Sequence, residues 1–212
     1  STMLLNIVTR IVFTQSSSSK VVAPVINKLG RFSKERQIIL SNEHFHKLLD
    51  RASETCFEFK SARHISMITH GLGKLGLVKT HKIWKTLVLQ AIQLHVRFKP
   101  QEVANFVWGL ATAKVDLSQP LFQPVVAAMT KQAIRQQDRF IPQSIANFVW
   151  GLATAKVDLS QPLFQPVVAA MTKQAIRQQD RFIPQSIANF VWGLATAKVD
   201  LSQPLFQPVV AA

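Results

Sequence analysis

The 212-residue sequence has no tyrosine, one cysteine, seven glycines, and 11 acidic residues against 25 lysines and arginines. A lone cysteine excludes an intramolecular disulfide and a cysteine-based zinc cluster, and fits a reducing compartment. Cys56 is expected to be a small buried hydrophobe rather than a nucleophile. Scarce glycine beside abundant alanine, valine, leucine and glutamine favours helices, and the lack of period-two alternation disfavours strands. No run of 18 apolar residues exists, so neither a helical membrane span nor a membrane partner is expected. Carboxylates are short in supply, with no Asp or Glu between Glu58 and Glu102. There is no paired-carboxylate motif and no Ser/His/Asp arrangement. His44, His46, His64, His70, His81 and His95 have no carboxylate at a spacing that would complete a zinc site. No catalytic residue, metal or cofactor is therefore expected, and the chain reads as a non-enzyme.

What the chain has is repetition. Residues 146–187 reproduce 104–145 letter for letter, and 188–212 reproduce the first 25 of them, a period of 42. An enzyme site needs different groups converging on one point. Tandem copies instead supply the same groups at regular steps along a line, which suits a long periodic ligand. The formal charge is +14, of which residues 1–103 carry +10 and 104–212 carry +4. A basic array suits a polyanion, because neutralising phosphates releases counterions. The alternative is a solvated surface with excess charge.

Each cassette reads as two helices. The first runs from Pro142 to Lys156, with proline where a missing N–H costs nothing. Its apolar stripe is Ile145, Val149, Leu152 and Ala153, widened by Phe148 and Trp150. Val157 to Ser160 form a turn with Asp158 or Ser160 available as N-cap. The second helix spans about Gln161 to Gln179 with the stripe Phe164, Val167 or Val168, Met171 and Ala175, and Asp180-Arg181 close the repeat. Pro166 lies one turn inside, where it should kink the helix or delay its start, as should Pro124 and Pro208.

An older, diverged copy precedes the identical ones. His64 to Leu72 align with Glu102 to Leu110 at an offset of 38, which places Trp84 opposite Phe122. Phe45 to Ala52 look like the second helix of a still earlier unit. The organisation expected is an N-terminal segment 1–32, diverged helical repeats 33–103, repeats 104–145 and 146–187, and a truncated repeat 188–212. The first segment is acid-free from Met3 to Lys34, carries the serine run Ser16 to Ser19, and is amphipathic over 3–14. It reads either as an organelle targeting peptide or as a helical cap. Ending mid-repeat at Ala212 predicts a longer parent protein, or self-association through the exposed terminal repeat.

Two motifs compete for chemistry. Gly71-Leu-Gly73-Lys-Leu-Gly76 matches the dinucleotide fingerprint, but it follows a helical segment and no acidic residue lies at the ribose-binding distance. Its glycines are expected to end the helix and begin a turn. Trp108, Trp150 and Trp192 could stack on bases, but each sits mid-stripe and is expected in the inter-repeat core. Polar residues that interrupt the first helix are better ligand readers: Gln143, Ser144, Asn147, Thr154 and Lys156. Asn and Gln can make paired hydrogen bonds to a base edge; alternatively, Asn147 bonds the neighbouring repeat's backbone.

The string Pro142-Gln143-Ser144-Ile145-Ala146-Asn147-Phe148-Val149-Trp150-Gly151-Leu152-Ala153 resembles the signature of octotricopeptide repeats. That signature is a proline, Gln or Glu, an aliphatic residue, Ala-Asn or Ser-Asn, then Trp-Ala-Leu-Ala. The match recurs over Pro100 to Ala111 and Pro184 to Ala195. The period of 42 departs from the family's spacing of about 38, and Gly151 stands where alanine is usual. The extra four residues fall between the first helix and the next proline, in the second helix or its turn.

The resemblance implies an all-α, right-handed superhelical solenoid of paired antiparallel helices. It also implies binding of single-stranded RNA in post-transcriptional control of transcripts in a chloroplast or mitochondrion. First helices would line the concave face. Asn105, Asn147 and Asn189 would read bases, assisted by Gln101, Gln143 and Gln185. Lys114, Lys156 and Lys198, with Arg135, Arg139, Arg177 and Arg181, would hold the backbone. The competing readings are a protein–protein scaffold and a secreted bacterial effector.

Overall fold

The computed structural model describes Asn6, Val8 and residues 18–206. The amphipathic segment 3–14 lies outside the described residues apart from those two positions, and Pro208 lies outside them altogether. Every regular element among the described residues is helical. The α-helices are α1 (Ser19–Leu29), α2 (Arg36–Leu40), α3 (Glu43–Thr55), α4 (Ala62–Leu75), α5 (Ile83–Leu94), α6 (Pro100–Thr112), α7 (Gln123–Arg135), α8 (Pro142–Thr154), α9 (Gln165–Arg177) and α10 (Pro184–Thr196), with short 3-10 turns between several of them.

The helices form two layers in chain order. The first helices α1, α4, α6, α8 and α10 lie side by side, each against the next. The second helices α3, α5, α7 and α9 follow one another in the other layer. Helix α1 arises within the segment 1–32 and takes a place in the first layer against α4. Its start is set by Ser18, whose hydroxyl accepts from the Lys20 N–H. Asn42 and Ser61 cap α3 and α4 in the same way, satisfying donors that have no partner within the helix. In α6, α8 and α10 proline takes the first helical position instead.

Glycine makes the first layer tight. A Cβ added to Gly71 would lie 2.6 Å from the Ile26 carbonyl oxygen, and one on Gly73 2.5 Å from that of Gly109. Gly71 and Gly73 therefore sit inside α4 as helix–helix contacts. Only Gly76, at φ +70°, ends the helix as the motif was expected to do. Helices α6, α8 and α10 close with the same pair of bonds, from lysine rather than glycine. Lys114 N–H donates to Ala111 O and Val115 N–H to Leu110 O, and Lys156 and Lys198 repeat this.

Two proline expectations resolve alike. Pro124 and Pro166 lie in the first turn of α7 and α9, where proline is tolerated. A 3-10 turn, Pro162–Phe164, precedes α9, so the helix starts late rather than kinking. Neither Asp158 nor Ser160 caps it; Asp158 accepts from the backbone and hydroxyl of Ser160 within the turn.

Glutamine locks the second layer to the first. Gln90 donates its side-chain amide to the Phe59 carbonyl at 2.7 Å, Gln132 to Phe98 at 2.8 Å, and Gln178 to Phe140 at 2.8 Å. Each ties a second helix to the turn that opens the first helix of its own pair. Gln90 and Gln132 are equivalent by this bond and stand 42 apart, whereas Gly76 and Lys114 are equivalent and stand 38 apart. The four extra residues of the cassette thus lie in the turn between its two helices. Trp84 consequently corresponds to Val126, not to Phe122; both are buried in a second helix.

Candidate functional site

Among the described residues α4, α6 and α8 have first-layer neighbours on both flanks and the second layer behind them, while α1 and α10 have one such neighbour. One stripe is left facing outward. In α8 the residues that keep exposure are Gln143, Asn147, Trp150 and Thr154, spaced i, i+4, i+7 and i+11 and so on one side of the helix. Gln101, Asn105, Trp108 and Thr112 form the same stripe on α6, and Gln185, Asn189, Trp192 and Thr196 on α10. In the diverged unit the equivalent positions of α4 hold Arg63, Met67, His70 and Lys74.

The aromatic members stand in a row across repeats. His70 and Trp108 have ring centroids 5.0 Å apart, Trp108 and Trp150 6.2 Å, and Trp150 and Trp192 6.2 Å. The indoles do bridge repeats as expected, but they are not core: Trp108 and Trp150 are half-buried and Trp192 is 47% exposed. Burial, followed by the charges of Lys74 and Arg31, pushes the His70 imidazole down to about 4, so the ring is neutral near pH 7. Its Nδ1 meets the Asn27 side-chain oxygen at 3.3 Å.

Asn105, Asn147 and Asn189 are half-buried, and their side chains make no hydrogen bond among the described residues. Bonding of Asn147 to a neighbouring backbone is therefore not found there. Gln101, Gln143 and Gln185 are exposed one turn N-terminal to them. Ser144 is buried and drops out as a ligand reader, and the Thr154 hydroxyl is closed off from solvent with no partner.

The basic candidates divide into two rims. Lys114, Lys156 and Lys198 sit immediately past the C-terminal ends of the first helices at φ 60°, 66° and 62°. That left-handed backbone costs a side-chain-bearing residue about 1–2 kcal/mol. Each is exposed, and Lys156 pairs with Asp116 of the preceding cassette at 3.3 Å. The Ser118 hydroxyl, the Asp116–Ser118 backbone bond and Lys156 hold the Asp116 carboxyl below its usual range. Arg135, Arg139, Arg177 and Arg181 gather at the other edge, before the N-terminal ends of the first helices. Arg177 pairs with Asp138 at 3.0 Å, while Arg139 and Arg181 donate to Gln136 and Gln178. The two rims are separated by the length of a first helix, about 20 Å.

Among the described residues no cluster of His, Cys, Asp and Glu could hold a metal, and no helix is long and apolar enough to cross a membrane. Burial pushes the Cys56 thiol up to about 12, which leaves it protonated and unreactive. Sequence reasoning missed the indole row as a surface. The signal was present, because Trp150 shares the i, i+4, i+7 register of Gln143 and Asn147. No protein-family model matches the chain, and no curated protein is similar to it in sequence.

Proposed function

We propose that the chain binds single-stranded RNA along the outward face of its first helices, arranged as a right-handed superhelix of the octotricopeptide kind with that face on its concave side. The observation that supports this most is the recurrence of one stripe, glutamine, asparagine, tryptophan, threonine, on successive helices. The chemistry suits unpaired bases. An indole offers a stacking face worth about 1–3 kcal/mol per base. An asparagine amide one turn away both donates and accepts, as a base edge requires. The lysine rim runs beside them for phosphates. No group in the stripe is a nucleophile or a general base, so the role is binding, in the control of organelle transcripts as the family resemblance implies.

Identical cassettes must prefer the same base if one repeat reads one base. The ligand should then contain a homopolymeric stretch. Binding of poly(A), poly(U), poly(C) and poly(G) at several salt concentrations tests this. One homopolymer should dominate, with affinity falling steeply as salt rises. Equal weak binding to all four would sink base reading, and no binding at low salt would sink RNA. Exposed leucines beside the lysine rim, Leu121 at 54% and Leu163 at 68%, favour a protein scaffold as the second reading. A packed apolar contact would respond weakly to salt.

A further inference from the structure

The lysine rim is not uniform. A groove of about 520 Å³ beside the first cassette is lined by Lys79, Lys114 and Lys156, with Asp116 among them to neutralise part of that charge. The next groove toward the N-terminus, about 560 Å³, lies between α2, the turn after α4 and the end of α6. Arg36, Lys74, Lys79 and Lys114 line it, and no acidic residue does. Glu35, beside Arg36 in sequence, is not part of the lining. The reason for the missing acid is local: Val78 stands where each cassette has aspartate, and Lys79 where each has leucine. None of the four cations has an ion-pair partner among the described residues. At the C-terminal end of α4 the Gly76 and Leu77 N–H groups occupy the Gly73 and Leu72 carbonyls, which reduces the negative potential that this end presents to the groove.

The groove opens onto the outward stripe. Lys74 is the α4 counterpart of Thr112, and both line it. Within the same unit the reading positions have changed character: Arg63 replaces glutamine and Met67 replaces asparagine. Met67 cannot pair with a base edge. The diverged unit has lost the asparagine amide and gained Lys74 and Lys79, which with Arg36 of α2 and Lys114 of the first cassette put four cations, unpaired among the described residues, around the groove.

We infer that this groove is a phosphate clamp, gripping consecutive backbone phosphates of the strand whose bases lie on the cassettes. The inference rests on the RNA reading for the identity of the strand, but not for the presence of an anion site. It divides labour along the array: cassettes select the base, and the junction before them holds the backbone whatever the sequence.

The test uses the full chain, a K74Q/K79Q double variant, and a K131Q/K173Q control that removes equal charge from the exposed side of the second helices. Inorganic tripolyphosphate is titrated calorimetrically at low salt, and short homopolymeric RNAs are titrated by anisotropy against salt. Melting curves establish that both variants fold. Tripolyphosphate should bind the parent and the control, and bind the double variant about tenfold more weakly or less. RNA affinity of the double variant should fall alike for all homopolymers, with a salt slope shallower by about 1.4, or about 0.7 per lost phosphate contact. Tripolyphosphate should compete with RNA. Equal tripolyphosphate binding by parent and double variant overturns the clamp, as does an RNA loss no larger than the control's. If tripolyphosphate binds through these lysines while no RNA binds, the anion site stands and its assignment to an RNA strand falls with the RNA reading.

Discussion

Lys114 should be worse for the fold than glycine and better for the ligand. It occupies φ 60° at the position where the diverged unit has Gly76 at φ +70°, and both close their helices with the same pair of backbone bonds. The left-handed backbone costs a lysine about 1–2 kcal/mol, and glycine returns about 0.5–1 of that through the freedom it gains in the unfolded chain. Lys114 has no ion pair among the described residues, so no contact offsets the strain. Lys114→Gly should therefore stabilise by about 0.5–1 kcal/mol, raising the melting temperature by about 1–4 °C for a chain of this size. Lys114→Gln removes the charge, keeps the strain and should leave the melting temperature where it was. If Lys114 holds a phosphate as proposed, both variants should weaken RNA binding by the same factor and for every homopolymer. Denaturant melts and anisotropy titrations on the three proteins separate the two effects. A glycine variant that melts lower than the parent would refute the strain argument; one that binds RNA as tightly would remove Lys114 from the rim.

The glutamine lock gives a second expectation. Gln132→Ala leaves the Val96 and Phe98 carbonyls without its amide and should destabilise by about 1–3 kcal/mol, against no measurable change for Gln143→Ala on the exposed stripe. The glycines should differ in tolerance: Gly109→Ala would place a Cβ 2.5 Å from the Thr69 carbonyl oxygen, whereas in Gly151→Ala the nearest atom is a Val107 methyl at 3.0 Å. Gly109→Ala should cost about 1–3 kcal/mol and Gly151→Ala clearly less, by urea denaturation. His70 sets an acid limit. Its folded pKa of about 4 lies below the 6.5 of the free side chain, so the unfolded chain binds the extra proton. Stability should be complete above pH 6.5 and decline as pH falls toward 4, by at most about 3 kcal/mol and less as water reaches the ring. His70→Phe should flatten that slope; an unchanged slope assigns it to other groups.

The helices and their duplication were legible because proline, the repeating apolar positions and identity at a fixed period are all local signals. The side of each first helix that faces water was not. An apolar stripe on a lone amphipathic helix marks the buried face, but an inner first helix here is covered on three sides, so its outward stripe is the exception. Trp150 falls among buried Val149, Gly151 and Leu152, and in a count of apolar residues looks like one of them. Only its register with Gln143 and Asn147 reveals the surface. Gln132 and Gln174 misled in the other direction. Both are polar residues that read as solvated, yet they are buried because carbonyls of the turn that opens their own helix pair need donors. Such partners are about 35 residues away in the chain, and no periodicity points to them.

The identical cassettes also explain how copies could be added without a new interface. Gly151 of α8 rests on Val107 and Trp108 of α6, and Gly193 of α10 rests on Val149 and Trp150 of α8. One flank of a cassette thus fits the opposite flank of its own copy, which is a head-to-tail contact that propagates along a line rather than closing. The four added residues lie in the turn between helices, outside both the glycine contacts and the glutamine lock. The turn adds its own link to the next copy, the Leu117 N–H donating to the Ala155 carbonyl at 3.0 Å. It changes the rim, where Leu121 and Asp116 join Lys114 and Lys156 around one groove. Duplicating this cassette multiplies its stripe and its partly neutralised rim together, while the acid-free groove before it remains single. On the proposed reading each further copy should extend the tract of bases contacted and add one rim lysine, while the acid-free groove acts once per strand.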